Sequence, residues 1–327
     1  MSQGRIDDLV EALMGGDRRA LARSITLVES RRVEDREDAG AVLSRVMPLA
    51  GGALRVGITG VPGAGKSTVI EALGNAAIDC GRRVAVLSVD PSSTISGGSI
   101  LGDKTRMATL SHQPQAFVRP SPTVGRAGGV APGTREAIYL CEAAGFDFIM
   151  VETVGVGQSE LHVASMTDMF VLLLLPGAGD ELQGIKRGVM ELVDLVAVNK
   201  CDGELAAAGQ RTVAEFSQAL RLMPSHTIDW TVPVMGVSAL TSEGIDGMLE
   251  TIMRFSACVL ESGARRERRN DQAREWLWEE IRQGLLERFF CDPALEARAR
   301  AIEEKDVAGN LSGTAGASRL LDSSLKK

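Results

Sequence analysis

The sequence predicts an α/β fold, with a mainly parallel sheet flanked by helices and with helical extensions at both ends of the chain. Three observations carry this prediction. Short apolar runs alternate with segments of helical spacing through the middle of the chain, a glycine-rich turn joins the first run to the helical segment after it, and both ends of the chain lack such runs. Alternating strands and helices are typical of a parallel sheet covered on both faces.

The positions of the apolar runs divide the chain into three parts. We expect an N-terminal helical extension over 1–50, an α/β domain over 51–256 and a C-terminal helical arm over 257–327. Each run is apolar and of strand length, which indicates a strand buried on both faces. The predicted strands lie near 54–59, 84–89, 115–118, 147–151, 169–175, 193–198 and 232–237.

The two ends of the chain show the periodicity of amphipathic helices. Near the N-terminus, Ile6, Leu9 and Leu13 recur at helical spacing with charged residues between them. Near the C-terminus, an apolar stripe runs from Trp276 to Phe289. Such a stripe packs against a core or a partner. Because this one lies beyond a complete α/β domain, we expect it to join two copies of the chain in a homodimer, with packing inside its own chain as the alternative.

The composition limits the class of protein. Of the 327 residues 44% are hydrophobic, and the formal net charge is −7. An acidic chain without a dominant basic surface argues against nucleic acid as the main partner. The cysteines are dispersed, as in proteins of a reducing compartment, and the longest apolar run, 169–175, is far too short to span a membrane. We therefore expect a cytoplasmic protein with neither a nucleic-acid nor a membrane partner.

The glycine-rich turn Gly60–Ser67 fits the pattern G-x-x-x-x-G-K-[ST] of the P-loop NTPases. It stands between a buried strand and a helix, which is the context that the pattern requires. The backbone N–H groups of such a loop bind phosphate, its lysine reaches the β- and γ-phosphates, and its serine ligates Mg²⁺. The nucleotide-binding residues predicted in this segment are Gly63, Ala64, Gly65, Lys66, Ser67 and Thr68.

Carboxylates follow two other predicted strands. Asp90 ends the second strand and Glu152 ends the fourth. The carboxyl ends of parallel strands meet at one edge of a sheet, and Mg²⁺ prefers oxygen ligands. We therefore expect both acids to hold Mg²⁺ together with Ser67, directly or through water. Asp103, in the loop after Asp90, is a further candidate for contact with the metal or its water.

Gly155 and Gln158, which follow Glu152 in the sequence, are candidates for contact with the γ-phosphate and the attacking water. Gly155 stands at the spacing of the D-x-x-G pattern of GTPases, and its N–H is predicted to contact the γ-phosphate. Gln158 is a candidate for orienting the water. The predicted catalytic residues are Lys66, Asp90, Asp103, Glu152 and Gln158.

The run Asn199–Asp202 fits the N-K-x-D pattern that recognises guanine. Asp202 offers a carboxylate to the guanine N1–H and exocyclic amine, and adenine would leave this acceptor unpaired. Asn199 and Lys200 are expected to support the loop. A second base-contacting loop is predicted at Ser238, Ala239 and Leu240. The sequence therefore predicts GTP and GDP, with Mg²⁺, as ligands.

Four segments together resemble one protein family. They are the phosphate-binding loop and the stretches Ser88–Ser93, Glu152–Glu160 and Gly177–Lys186. In this order they resemble the MeaB/ArgK family of SIMIBI-class P-loop GTPases, which act as chaperones of adenosylcobalamin-dependent methylmalonyl-CoA mutase. The resemblance extends over nearly the whole chain. It departs at Pro132 and Gly133, where the family leads us to expect polar or basic residues.

The resemblance implies a function and a set of partners. It implies a homodimer, joined through its C-terminal helices, that binds the mutase, couples GTP hydrolysis to the loading of intact cofactor and protects the mutase from inactivation. It also implies that Gly177–Lys186 is a switch segment that signals between the mutase and the nucleotide site, with Gln183 and Lys186 as its signalling residues.

Three other functions fit part of the pattern. One is a GTPase of the same class that inserts metal ions into enzymes, although such proteins need clusters of cysteine or histidine that this chain lacks. Another is a kinase of a periplasmic amino-acid transport protein. The third is a nucleotide-gated scaffold with negligible hydrolysis.

Overall fold

The computed structural model describes residues 3–30, 32–89, 107–121, 133–153, 159–177, 187–223, 225–290 and 292–324. The chain divides into two compact units, Met1–Arg268 and Arg269–Lys327. The strands of the first unit are β1 (Leu54–Gly60), β2 (Val84–Val89), β3 (Ala116–Ser121), β4 (Phe148–Thr153), β5 (Met169–Leu174), β6 (Leu195–Val198) and β7 (Val234–Gly236).

Helices precede the sheet, cover it and form the C-terminal unit. The N-terminal helices are α1 (Gln3–Met14), α2 (Arg18–Glu29) and α3 (Val33–Val46). Those among the strands are α4 (Lys66–Asp79), α5 (Ala108–His112), α6 (Thr134–Ala143), α7 (Ser159–Ala164), α8 (Arg187–Met190), α9 (Ala206–Leu220) and α10 (Ile245–Glu261). The last three are α11 (Ala264–Phe290), α12 (Pro293–Val307) and α13 (Gly313–Ser324).

The seven strands form one parallel sheet in the order β3-β2-β4-β1-β5-β6-β7. This confirms the predicted α/β fold, and each predicted run overlaps a strand. Strand β7 is shorter than the predicted run 232–237, because Pro233 has no N–H to donate to a neighbouring strand. The Pro233 carbonyl still accepts from the Val196 N–H at 3.0 Å. The central strand β1 is buried along its whole length and leads directly into the glycine-rich turn.

Two packing features hold helices against β1. Val69, Ile70 and Leu73 form the buried face of α4 that the helical spacing predicted. On the other face, a side chain at Gly57 would place its Cβ 2.8 Å from the Thr167 hydroxyl, so a glycine is needed where the segment after α7 approaches the strand. Both contacts fix helices beside the loop that follows β1.

The N-terminal helices lie within the first unit, where α2 and α3 pack against α6. Asp17 caps α2 by accepting from the N–H groups of Arg19 at 2.6 Å and Ala20 at 3.2 Å, and these bonds lower the pKa of its carboxyl. Glu29 at the end of α2 pairs with Arg119 of β3 at 2.5 Å. The boundary expected at 256 lies inside α10, and the division of the chain into three parts stays a prediction.

Two buried aspartates at the amino ends of β5 and β6 tie the start of α11 to the sheet. Asp168 accepts from the Arg55 N–H at 3.0 Å, and Asp194 accepts from the Phe170 N–H at 2.9 Å. Arg265 pairs with Asp168 at 3.6 Å, and Arg268 holds both carboxylate oxygens of Asp194 at 3.0 and 3.2 Å. The start of α11 is therefore fixed at the end of the sheet where β5 and β6 begin.

In the second unit, α12 and α13 pack against each other. A Cβ at Gly316 would lie 2.4 Å from the Ile302 side chain, so a glycine allows the two helices to approach closely. No helix in the described ranges is long and apolar enough to cross a membrane.

Candidate nucleotide-binding site

The phosphate-binding loop has the backbone that its glycines allow. Gly63 and Gly65 have φ values of 84° and 83°, in the left-handed region that favours glycine. The Lys66 ammonium folds back over this loop and donates to the carbonyls of Gly60 at 2.8 Å and Val61 at 3.4 Å.

Lys66 is a buried cation on which two buried carboxylates act electrostatically. The side chain is only 9% exposed, and this burial lowers the pKa of its ammonium. The charges of Glu152 and Glu160 oppose the shift. The two carboxylates therefore offset only part of the effect of burial on this pKa.

Ser67 and Glu152 meet at the carboxyl end of the sheet. The Ser67 hydroxyl donates to the Glu152 carboxylate at 3.2 Å, and Glu152 is only 5% exposed. A hydroxyl and a carboxylate beside a phosphate-binding loop are hard oxygen donors, which fit Mg²⁺. Nearby, Thr153 donates to Thr59 at 2.9 Å, so that the ends of β4 and β1 are also joined by their side chains.

Asn199 joins three nucleotide-binding loops. Its amide donates to the Ala64 carbonyl at 2.8 Å, and its side-chain oxygen accepts from the Ala239 N–H at 3.1 Å. A Cβ at Gly65 would lie 2.6 Å from the Asn199 amide nitrogen, so the loop glycine also provides the space for this bridge. The N-K-x-D segment is therefore bonded to both the phosphate loop and the second base loop.

The rest of the N-K-x-D segment is held by its backbone and by Cys201. Lys200 has a φ of 62°, in the left-handed region. The Cys201 N–H donates to the Val237 carbonyl at 3.0 Å, and a Cβ at Gly209 would lie 2.3 Å from the Cys201 sulfur. Burial raises the pKa of the Cys201 thiol, which makes it a packing group rather than a nucleophile. The neighbouring Asp202 is partly exposed.

The second base loop is a tight turn. The Ser238 N–H donates to the Glu243 carbonyl at 2.8 Å, and the Ser238 hydroxyl accepts from the Thr241 N–H at 3.2 Å. Leu240 at the tip is 82% exposed, so its side chain is not part of the core. The Ala239 N–H is engaged by Asn199 in this conformation.

Comparison with known proteins assigns the family. A family model described as "Methylmalonyl Co-A mutase-associated GTPase MeaB" matches residues 21–294. The chain belongs to the MeaB family. As in the relatives that bear the name GTPase, the P-loop fold of this MeaB-family protein binds GTP and GDP and hydrolyses GTP.

Three similar proteins support this assignment. A putative GTPase of Caulobacter vibrioides is 53% identical over 97% of this chain and 97% of its own length. The mouse protein named methylmalonic aciduria type A homolog, mitochondrial, is 47% identical over 97% of this chain and 79% of its own length. The crystal structure of an LAO/AO transport system kinase is 34% identical, has a TM-score of 0.78 and covers 98% of both chains.

The structure places some of the predicted site residues of this MeaB-family GTPase and leaves others undescribed. It brings Lys66, Ser67 and Glu152 together at one end of the sheet, with the loop of Gly63, Ala64, Gly65 and Thr68, the Asn199–Asp202 segment and the Ser238–Leu240 turn. The remaining predicted site residues, Asp90, Asp103, Gly155, Gln158, Gln183 and Lys186, lie outside the described residues. The sequence departs from the family pattern at Pro132 and Gly133. Pro132 lies outside the described residues, whereas Gly133 has a φ of 95°, which favours glycine over a polar or basic residue.

The sequence reasoning missed two features of the site. It gave Asn199 a supporting role without its bonds to Ala64 and Ala239, because these contacts cross large sequence separations. It also gave Glu160 no role, although that residue is buried and acts electrostatically on Lys66. The signal available for Glu160 was its place in the stretch Glu152–Glu160, which carries part of the family resemblance.

Proposed function

We propose that this MeaB-family GTPase is a GTP-hydrolysing chaperone that assists cofactor loading and protection of adenosylcobalamin-dependent methylmalonyl-CoA mutase. The observation that carries the proposal is the extent of the family match. The model named for association with that mutase matches residues 21–294, which include most of α2, all of the predicted nucleotide-site residues and the start of α12. The mouse relative, named for methylmalonic aciduria, adds support at 47% identity.

In the proposed reaction, water attacks the γ-phosphate of GTP in line with the leaving β-phosphate oxygen. Lys66 leaves the Gly60 carbonyl and holds the β- and γ-phosphates. Ser67 and Glu152, with Asp90 and Asp103, are the residues proposed to hold Mg²⁺, which when bound neutralises phosphate charge. Gln158 and the Gly155 N–H are candidates for contacts with the water and the γ-phosphate.

Guanine recognition is assigned to Asp202, whose carboxylate accepts two hydrogen bonds that adenine cannot offer. The bridge made by Asn199 supports this assignment, because it fixes the position of the base loops relative to the phosphate loop. The buried side chain of Asn199 would then link binding of the base to the conformation of the phosphate loop.

The homodimer is proposed from the surface of α11. Leu277, Trp278, Ile281, Leu285 and Leu286 are between 39% and 61% exposed in the single chain. Large apolar side chains repeated along one helix indicate a contact surface. We propose that a second copy covers them, in a cytoplasmic dimer, and that Gln183 and Lys186 carry the signal of the bound mutase to the nucleotide site.

Cofactor loading tests the proposed function directly. Apo-mutase is mixed with adenosylcobalamin and this GTPase, with GTP or with a non-hydrolysable GTP analogue, and the intact cofactor bound to the mutase is measured by its absorbance. We expect more loaded mutase with GTP than with the analogue, and no gain with the Lys66→Ala variant. Equal loading in all samples would contradict the proposal.

Transport-protein kinase activity is the second candidate, favoured by the similarity to the solved structure that is named as such a kinase. A kinase would transfer the labelled γ-phosphate of GTP to a protein, whereas a GTPase releases it as inorganic phosphate. Metal insertion is tested by equilibrium dialysis with Ni²⁺ and Zn²⁺. In the described part of the chain, no group of three or more His, Cys, Asp or Glu side chains could hold a metal ion.

A further inference from the structure

Two threonines at the carboxyl ends of neighbouring strands share a buried hydrogen bond beside the nucleotide site. The Thr153 hydroxyl of β4 donates to the Thr59 hydroxyl of β1 at 2.9 Å. The exposed fractions of the two residues are 0% for Thr153 and 2% for Thr59. A buried hydroxyl without a partner is costly, so this bond ties the two strand ends together. The reaction outlined above gives the pair no role.

Each threonine is adjacent in sequence to a residue of the nucleotide site. Thr59 precedes Gly60, the first residue of the phosphate loop. Thr153 follows Glu152, whose carboxylate accepts from the Ser67 hydroxyl at 3.2 Å. The bond between the threonines therefore joins the backbone that begins the phosphate loop to the backbone that carries Glu152.

The hydrogen bond lies just beyond the backbone pairing between β1 and β4. The last register pair of these two strands is Ile58 with Glu152. Beyond that pair, β1 continues its pairing with β5 at Thr59, and β4 continues its pairing with β2 at Thr153. The side-chain bond thus extends the contact between β1 and β4 by one residue, at the point where each strand otherwise pairs on its outer side.

The threonine pair and the Glu152 carboxylate lie on opposite faces of the sheet, because successive side chains of a strand alternate between its faces. Ile58, the register partner of Glu152, belongs to the same core cluster as Val69 and Ile70 of α4. Glu152 reaches Ser67 of that same helix. An effect of the threonine pair on the nucleotide site must therefore pass through the backbone of β1 and β4.

We propose that Thr59 and Thr153 are positioning residues for Mg²⁺, and that their hydrogen bond sets the distance between the Glu152 carboxylate and the Ser67 hydroxyl. Mg²⁺ requires a near-ideal octahedral arrangement of oxygen ligands at about 2.0–2.1 Å. A small change in the separation of the strand ends moves one ligand relative to the other, and weakens binding of the metal more than binding of the nucleotide. This role rests on the assignment of Mg²⁺ to Glu152 and Ser67 in the proposed function.

The test is Thr153→Val, which keeps the shape of the side chain and removes its hydroxyl. Affinity for a fluorescent, non-hydrolysable GTP analogue is measured over a range of Mg²⁺ concentrations and in EDTA. We expect the Mg²⁺ concentration that gives half of the gain in affinity to rise about three- to tenfold, as for the loss of one hydrogen bond, while affinity in EDTA stays the same. Thr153→Ser keeps the hydroxyl and should restore the Mg²⁺ dependence of the wild type.

A double variant and a control test whether the two hydroxyls act as a pair. Because Thr59→Val and Thr153→Val remove the same bond, we expect their combination to shift the Mg²⁺ dependence no further than Thr153→Val does alone. The matched control is Thr251→Val. Thr251 is 8% exposed, and its hydroxyl donates to the Gly247 carbonyl at 2.8 Å within α10. Its loss should leave the Mg²⁺ dependence unchanged.

Three results would overturn the proposal. They are an unchanged Mg²⁺ dependence in Thr153→Val, an equal loss of its affinity with Mg²⁺ and in EDTA, and additive shifts in the double variant. Glu152→Gln separates this role from the metal assignment on which it rests. If Glu152→Gln also leaves the Mg²⁺ dependence unchanged, the assignment fails together with the role of the threonines. If Glu152→Gln weakens the dependence and Thr153→Val does not, the role of the threonines alone fails. The mixture contains no mutase, so the outcome is independent of the proposed chaperone activity.

Discussion

Replacement of Asn199 by alanine tests how the nucleotide-binding loops are held together. The side chain is 2% exposed, donates to the Ala64 carbonyl at 2.8 Å and accepts from the Ala239 N–H at 3.1 Å. Alanine removes both bonds and leaves their partners unsatisfied in a buried site. At about 0.5–1.5 kcal/mol for each bond, the loss is about 1–3 kcal/mol, or roughly 5- to 150-fold in affinity.

We expect this loss in nucleotide affinity rather than in the stability of the fold, because both bonds connect loops at the end of the sheet. The assay is titration with fluorescent GDP and a fluorescent GTP analogue, together with thermal unfolding without nucleotide. Asn75→Ala is the control, since Asn75 donates to the Thr109 hydroxyl at 2.9 Å on a different surface of α4. If Asn199→Ala bound GDP as tightly as the wild type, the reasoning would be refuted.

Three further predictions concern Asp202, Arg268 and Lys66. Asp202→Ala should cost about 3 kcal/mol of GDP affinity, roughly 150-fold, and remove the preference for GDP over ADP in competition titrations. Arg268→Met removes the ion pair of the Asp194 carboxylate, whose side chain is 1% exposed. It should lower the free energy of unfolding, measured in urea, by about 3–5 kcal/mol. The control Arg282→Met, at an exposed pair, should change that free energy little. Burial lowers the pKa of Lys66, although two carboxylates oppose the shift. Affinity for a GTP analogue should therefore fall as the pH rises through this lowered pKa. The fall should occur at a lower pH than the pKa of an ordinary lysine would give.

The sequence predicts the fold well because the strands coincide with short, mainly apolar runs between turn residues. The run at 169–175 contains β5, which is buried at every position, and the helical spacing after Ser67 predicts the buried face of α4. The phosphate loop and the N-K-x-D segment were recognisable because their chemistry depends on neighbours in sequence. Motifs formed by neighbouring residues can be recognised in the sequence without knowledge of contacts between distant residues.

The contacts between distant residues could not be predicted in this way. Asn199 reaches Ala64 across 135 positions, and Arg268 reaches Asp194 across 74. Nothing in the spacing of charged residues shows which aspartate is buried at the amino end of a strand. The run of five charged residues Arg265–Arg269 has the pattern of a solvated helix surface, although Arg268 forms an ion pair with the buried Asp194.

The rate of GTP hydrolysis with and without methylmalonyl-CoA mutase tests the central claim most directly. The phosphate loop Gly60–Ser67 contains Lys66 and no arginine, so we expect slow hydrolysis by this protein alone and faster hydrolysis with saturating mutase. Released phosphate is measured at increasing mutase concentration, with an unrelated acyl-CoA enzyme as control. A rate that rises and saturates with the mutase is the predicted result, and a rate that saturating mutase leaves unchanged would contradict the account.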